Sequence, residues 1–110
     1  MKLDNVGEVI AERKLSVVGN PSLTAIVRMG KPRPLPDANG DDSFCPVQIV
    51  GVGSERVTYA AGVDAFQAIQ LSMKLISLEL SIIKRDCGYE LRWEGDDNGG
   101  LGFPPIDSLR

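Results

Sequence analysis

The chain has 110 residues, of which 43% are hydrophobic and 25% are charged, and its formal net charge is −3. This length and composition are typical of one globular domain with a single hydrophobic core, so we predict one domain over residues 1–110. The sequence contains no histidine, which excludes the Ser–His and Cys–His nucleophile pairs, the commonest general base and most metal sites.

Two alternating segments at the start of the sequence predict a β-hairpin. Residues 8–18 and 22–30 each alternate between apolar and polar side chains, which is typical of strands with one buried side. The residues between them have the sequence GNPS, a turn signal, so we expect the two strands to pair in antiparallel fashion. The apolar side of the first strand consists of Val9, Ala11, Leu15 and Val17.

Arg13 also falls on the apolar side of the first strand. One alternative is a buried arginine that is paired within a functional site. The other is an arginine at the margin of the sheet, whose aliphatic stem packs on apolar neighbours while its guanidinium stays in water. The second arrangement is the more common of the two, and the sequence alone does not decide between them.

The segment from residue 30 to residue 43 carries two weak motifs. Its three prolines favour an extended path. Asp37, Asn39 and Asp41 resemble the start of a calcium-binding loop, but its sixth position is not glycine and its twelfth is not glutamate. We therefore predict a connecting loop without a calcium site.

Residues 44–52 and 56–62 predict the third and fourth strands. On the fourth strand, the side chains expected to face the core are Val57, Tyr59 and Ala61. The third strand contains Pro46, which has no backbone N–H to donate. We therefore expect this strand to lie at an edge of the sheet or to begin at the proline.

The longest predicted element is a helix over residues 62–85. Asp64 is a good N-cap residue because its carboxylate accepts a bond from a backbone N–H of the first turn. Gln67, three residues later, completes a pattern like that of a capping box. Basic residues in the last turn suit the negative end of the helix dipole, and Gly88 provides a stop.

This helix is apolar over an arc wider than the ~100° stripe expected of a helix on one face of a sheet. A second apolar row must therefore be covered as well. The C-terminal segment, residues 101–110, is the first candidate to cover it. A homodimer or partner interface is the alternative. In that case the interface residues are Leu71, Leu75, Leu78 and Ile82.

The chain becomes acidic after Cys87. Residues 1–86 carry ten acidic and ten basic groups, whereas the later residues carry five acidic and two basic groups. Residues 89–94 alternate and predict a short fifth strand. One face of that strand and the loop after it carry the candidate partner-binding residues, which are Glu90, Arg92, Glu94, Asp96 and Asp97.

This acidic segment admits two interpretations. It could attract a protein partner with a basic surface, or it could be a solvated strand and loop with no partner. It disfavours nucleic acid as a partner, because phosphate contacts need clustered lysine and arginine.

The remaining features exclude further classes of site. Cys45 and Cys87 are expected to be free thiols, and two cysteines without histidine do not make a zinc site. No phosphate-binding glycine motif follows a predicted strand. No apolar run approaches the ~20 residues of a membrane span, and the N-terminus lacks the apolar core of a signal peptide. We therefore expect a cytoplasmic protein with no membrane segment, no cofactor and no catalytic residues.

Four short stretches resemble a family of small bacterial domains of unknown function. They are Cys45-Pro46, the GVDAFQAIQL stretch of residues 62–71, Leu91-Arg92-Trp93 and Gly102-Phe103-Pro104. The most specific part is the G-x-D-x-x-Q-A-x-x-L pattern at the helix start. The resemblance implies a bacterial source and brings no catalytic residues with it.

These observations predict an α+β fold, with an antiparallel sheet of four to five strands and one long helix packed on one face. They favour a small non-enzymatic protein-binding module, such as an immunity protein that neutralises a toxin. That function suits the size, the absence of catalytic residues and the acidic segment, and it rests partly on analogy. The alternative is a small-molecule-binding or structural homodimer built on the two apolar rows of the helix.

Overall fold

The computed structural model, which describes residues 1–36 and 40–106, has one long helix lying on one face of an antiparallel sheet. This arrangement confirms the predicted α+β fold. Asp37 and Asn39 of the calcium-like motif lie outside the described residues. In chain order the elements are β1 (Val9–Val17), β2 (Thr24–Gly30), β3 (Arg33–Pro34), β4 (Ser43–Val50), β5 (Val57–Gly62), α1 (Ala65–Cys87) and β6 (Leu91–Arg92).

The sheet is organised around β4, which has neighbours on both sides. β5 pairs with β4 along residues 43–48, whereas β2 and β3 pair with its two ends, at residues 47–50 and 43–44. β1 pairs with β2 as the predicted hairpin, and β6 pairs with β1. The expectation that Pro46 marks an edge or a strand start is therefore wrong. Pro46 is tolerated because it lies in the gap between the β2 and β3 ladders, where no N–H is needed.

The core lies between α1 and the face of the sheet that it covers. The buried strand side chains alternate as the sequence predicts, and the buried helix side chains recur every three to four residues. The strands contribute Leu15, Val17, Ala25, Val27, Met29, Cys45, Val47 and Ile49, and the helix contributes Ala68, Ser72, Ile76, Leu80 and Ile83. Val9 and Ala11, also predicted to be buried, are exposed at the end of β1 that begins with an irregular register.

The predicted inward face of β5 is wrong. Cys45 pairs with Ala60, and residues opposite each other in antiparallel strands point to the same face. Thr58 and Ala60 therefore face the helix, while Tyr59 lies on the other face with its ring 5.6 Å from that of Phe44. The prediction failed because β4 is buried on both faces here, so that apolar side chains on either side of β5 have a place to pack.

Both ends of the helix form as predicted. The Asp64 carboxylate accepts a hydrogen bond of 2.8 Å from the Gln67 N–H, and the Gln67 side chain accepts one of the same length from Val63. Gly88 adopts a left-handed conformation with φ 72°, and its N–H donates to the Lys84 carbonyl. By length and composition the helix could cross a membrane, and in this fold its buried side chains are those that face the sheet.

The described part of the C-terminal segment, residues 101–106, lies along one flank of α1. The Ser77 hydroxyl donates a 2.6 Å hydrogen bond to the Pro104 carbonyl. Phe103 of the segment lines small cavities together with three helix residues, Met73, Ser77 and Leu80. We call these three helix residues the covered flank. Residues 101–106 therefore do not take the place predicted for the segment, over the second apolar row. They lie on the opposite side of the helix, above β1 and β2.

Arg13 fixes this segment to the sheet. Its guanidinium lies 3.8 Å from the centroid of the Trp93 ring and 4.8 Å from that of Phe103, and it donates to the Leu101 carbonyl at 3.1 Å. Arg13 is half-buried, and it forms no ion pair within the described residues. The arginine thus joins the strand to the segment through aromatic stacking rather than through a carboxylate.

Candidate functional site

The outer edge of β5 is an open edge of the sheet. Within residues 1–36 and 40–106, β5 pairs with β4 and with no other strand. Its sequence, VTYAAG, contains no charged residue and no proline. Its six residues form a strand about 20 Å long. The pattern of side chains does not predict that β5 is an edge strand, although its lack of charge and proline is visible in the sequence.

Ser72 fixes which backbone groups of β5 point to the open edge. Its buried hydroxyl donates to the Cys45 carbonyl at 2.6 Å and accepts from the Ala60 N–H at 3.3 Å. The polar groups of Ala60 therefore point toward β4. Because neighbouring residues of a strand point their polar groups to opposite edges, those of Val57, Tyr59 and Ala61 point outward.

The second apolar row of the helix lies beside this edge. Leu71, Leu75 and Ile82 are half-buried, and Leu78 is 41% exposed. We call these four residues the open flank. They lie on the β5 side of α1, since Ile82 borders a cleft that Thr58 of β5 also lines. The structure thus brings all four predicted interface residues to one side of the helix.

The residues of the predicted acidic surface lie in β6 and in the turn that follows. Glu90, Arg92, Glu94 and Asp97 are exposed, as expected of partner-binding residues. Asp96 differs, because it is half-buried and its carboxylate accepts a 2.7 Å hydrogen bond from the Asn98 N–H. Gly100 lies so close to this carboxylate that a Cβ would collide with it. Asp96 therefore shapes the turn.

A cleft of about 350 Å³ opens between the C-terminal half of α1 and the β4–β5 turn. Four of its five charged side chains are ion-paired, Arg56 with Glu79 at 3.4 Å and Arg85 with Asp86 at 2.8 Å. The fifth, Glu55, accepts a 2.9 Å hydrogen bond from the Gly51 N–H. The hydrogen bond from Arg85 lowers the pKa of the Asp86 carboxyl below its ordinary value. The Asp86 carboxylate is therefore held as an ion in its pair, which suits a structural role better than proton transfer.

The two cysteines are free, and they occupy different environments. Cys45 is buried, and burial raises the pKa of its thiol, although a hydrogen bond with Ser72 lowers it in part. A thiol that stays protonated is a poor nucleophile. Cys87 is exposed at the end of α1. No group of three or more histidine, cysteine, aspartate or glutamate side chains that could hold a metal ion occurs among the described residues.

Comparison with known proteins identifies a family without assigning an activity. A family model described as a domain of unknown function, DUF6968, matches residues 11–105. Searches of curated proteins and of solved structures found no match. The matched range runs from β1 to the C-terminal segment, so it includes the open edge of β5, both flanks of α1 and the acidic turn.

Proposed function

The chain belongs to the DUF6968 family of domains of unknown function, and we propose that this domain is a non-enzymatic module that binds another polypeptide along the open edge of β5. In this mode an extended segment pairs with the exposed strand. Main-chain hydrogen bonds supply affinity, and neighbouring side chains supply specificity. The observation that carries the proposal is the six-residue edge without charge or proline.

The other ends of the sheet support this proposal by contrast. Proteins protect exposed strand edges from pairing by keeping them very short or by placing proline or charge on them. β6 has two residues, one of them Arg92, and β3 has two residues and ends in Pro34. β6 pairs with β1 only at residues 16–17, and the part of β1 that it leaves unpaired carries the charged residues Glu12, Arg13 and Lys14. β5 carries none of these protections, although it is three times as long. An unprotected edge of this kind is a hazard in a monomer and an asset in a binding module.

The open flank of α1 adds side-chain contacts to the same surface. A polypeptide paired with β5 would run directly beneath Leu71, Leu75 and Leu78. These leucines are half-buried or exposed, so a partner could bury the rest of their apolar surface. Each square ångström of apolar area removed from water contributes about 25 cal/mol. The edge and the flank therefore form one continuous surface of backbone and apolar groups.

Proline substitution at the edge tests the proposal. Ala61 is exposed and its N–H points outward, so Ala61→Pro should remove one donor for a partner while leaving the β4–β5 ladder intact. The variant and the wild type would each be used to isolate partners from the native source. A partner that binds the wild type and is lost with Ala61→Pro is the expected result. Equal recovery of every partner would contradict the proposal.

A control substitution checks the assignment of inward and outward groups. The N–H of Ala60 points toward β4 and the Ser72 hydroxyl. Ala60→Pro should therefore lower the thermal midpoint by more than about 5 °C, whereas Ala61→Pro should lower it by much less. Equal losses for the two variants would show that residue 61 is not at a free edge.

A second candidate is binding of a basic protein at the acidic surface, as in an immunity protein that neutralises a toxin. Glu90, Glu94 and Asp97 are exposed, and none of them forms an ion pair within the part of the chain that the structure describes. Unpaired surface carboxylates are free to attract a cationic partner and to accelerate its association.

A further inference from the structure

We infer that the segment which pairs with β5 is β5 of a second copy of this chain. The two copies are related by a twofold axis that passes midway between their two Tyr59 residues. The inference rests on the proposed function, because it names the occupant of the same edge. A twofold interface brings the same surface of two subunits together, so it requires a surface that is complementary to itself. The backbone, the apolar flank and the charges of this region each meet that requirement.

The backbone of β5 is complementary to itself in one particular register. The outward polar groups belong to Val57, Tyr59 and Ala61, which are spaced two residues apart. An antiparallel copy centred on Tyr59 places Tyr59 opposite Tyr59 and Val57 opposite Ala61. Each of these positions becomes a hydrogen-bonded pair, in which the two residues exchange both N–H···O bonds. Every outward group of the three residues is then satisfied.

The same axis brings the two open flanks together. The axis is perpendicular to the sheet, so both helices remain on one face and run antiparallel, which places opposite ends of the two helix dipoles side by side. Ser72 contacts Ala60, next to the axis, so the neighbouring Leu71 and Leu75 lie closest to the second helix. The core layer between helix and sheet then continues from one subunit into the other.

The charges of this region favour a second copy over a strongly charged partner. β5 itself carries none. At 100° per residue, four charged side chains of α1 border the open flank, Lys74 and Arg85 against Glu79 and Asp86, and their formal charges cancel. A surface with net charge would repel its own copy, whereas this one does not. It also offers no excess charge that would select an acidic or a basic polypeptide.

Oligomeric state provides the first test. Light scattering after size exclusion, over a series of protein concentrations, should show a dimer for the wild type. Leu78→Glu and Ala61→Pro should each give a folded monomer, as judged by circular dichroism. Val18→Glu is the matched control. Val18 is 49% exposed, close to the 41% of Leu78. It lies beside β6, at the edge of the sheet opposite β5, where its N–H donates to the Glu90 carbonyl. Val18→Glu should leave the dimer intact.

A cross-link provides the second test, because it reports the register. In the Cys87→Ser background, Tyr59→Cys would place two thiols opposite each other with Cα atoms about 5.5 Å apart, within the range that a disulfide spans. Oxidised glutathione as oxidant should then convert most of the protein to a covalent dimer. Val57→Cys is the control, because Val57 faces Ala61 and not itself. It should cross-link at least tenfold more slowly.

The outcomes separate this inference from the proposed function. A wild type that stays monomeric at all concentrations overturns the second copy, and a different partner that is lost with Ala61→Pro still supports strand addition. A dimer that survives both Ala61→Pro and Leu78→Glu uses another surface and overturns the second copy at this edge. Equal cross-linking of Tyr59→Cys and Val57→Cys overturns the proposed register, in which the twofold axis passes between the two copies of Tyr59.

Discussion

The two flanks of α1 carry similar apolar side chains but have opposite surroundings. The covered flank lies beneath residues 101–106, whereas the open flank borders an edge of β5 that pairs with no other strand in the described part of the chain. The difference comes from polar groups. Ser77 and Arg13 each donate to a carbonyl of the segment and so place it on their own side. The open flank offers leucine and isoleucine alone. Apolar area makes covering favourable, and a few directed hydrogen bonds determine which flank is covered.

The largest effect expected from this difference concerns a pair of phenylalanines. Phe103, in the C-terminal segment, is half-buried against the core, whereas Phe66 is 81% exposed at the start of α1. Phe103→Ala should lower the free energy of unfolding by about 2 kcal/mol, less than the 3–5 kcal/mol typical of a fully buried phenylalanine. Phe66→Ala should change it by less than about 0.5 kcal/mol.

Chemical denaturation of both variants and the wild type provides the measurement. The two substitutions delete the same atoms, so a difference in unfolding free energy reports the surroundings alone. Equal losses would mean that the segment contributes nothing to covering α1. The contrast between the flanks would then be one of position without an energetic consequence.

An intermediate effect is expected at the residue that holds the segment. Arg13→Met keeps an apolar stem but removes the guanidinium from between Trp93 and Phe103, together with the bond to Leu101. A cation–π contact contributes about 0.5–1 kcal/mol and a hydrogen bond about 1 kcal/mol. We therefore expect a loss of about 1.5 kcal/mol, with a shift of the Trp93 fluorescence maximum toward that of exposed indole.

Arg28→Met is the matched control for this substitution. Arg28 lies on the neighbouring strand and forms an exposed ion pair with Glu12 at 2.8 Å. Exposed pairs of this kind contribute at most about 1 kcal/mol and often much less. Arg28→Met should leave the Trp93 fluorescence unchanged. A fluorescence shift in the control, or none in Arg13→Met, would show that Arg13 does not hold the segment.

Local sequence signals predicted the helix and the main strands. Tertiary contacts determined features that local patterns do not specify, such as which face of a strand is buried. The helix caps at Asp64 and Gly88 are local, because each depends on residues within one turn, and both formed as predicted. The face of β5 was not predictable, because apolar side chains alternate with threonine and alanine and both faces of the neighbouring β4 are buried.

The same limit applies to the candidate surfaces. Leu71, Leu75, Leu78 and Ile82 were identified from helical periodicity, and the structure places them on one side of α1. The open edge of β5 was missed because an edge is a property of the strand order. That order requires β4 to accept β2, β3 and β5 as neighbours, a pattern of long-range pairing that no local spacing encodes.

The smallest effect on stability is expected at the turn between β6 and the C-terminal segment. Glu94 and Asp97 are exposed, whereas Asp96 holds the turn through the Asn98 N–H. A double substitution of Glu94 and Asp97 to serine therefore removes charge while sparing the turn. It should change the free energy of unfolding by less than about 0.5 kcal/mol, because exposed charges contribute little.

The same double variant tests whether this acidic turn is also a binding surface. If a basic protein binds the acidic surface, association of the variant should be slower than that of the wild type at low salt. The two rates should converge as salt rises, because at 0.1 M salt screening removes most of the attraction between charges more than about 10 Å apart. Stopped-flow mixing with a partner isolated from the native source measures both rates. Equal rates at low salt would assign the acidic residues to a solvated turn, and binding would then belong to the open flank and the β5 edge alone.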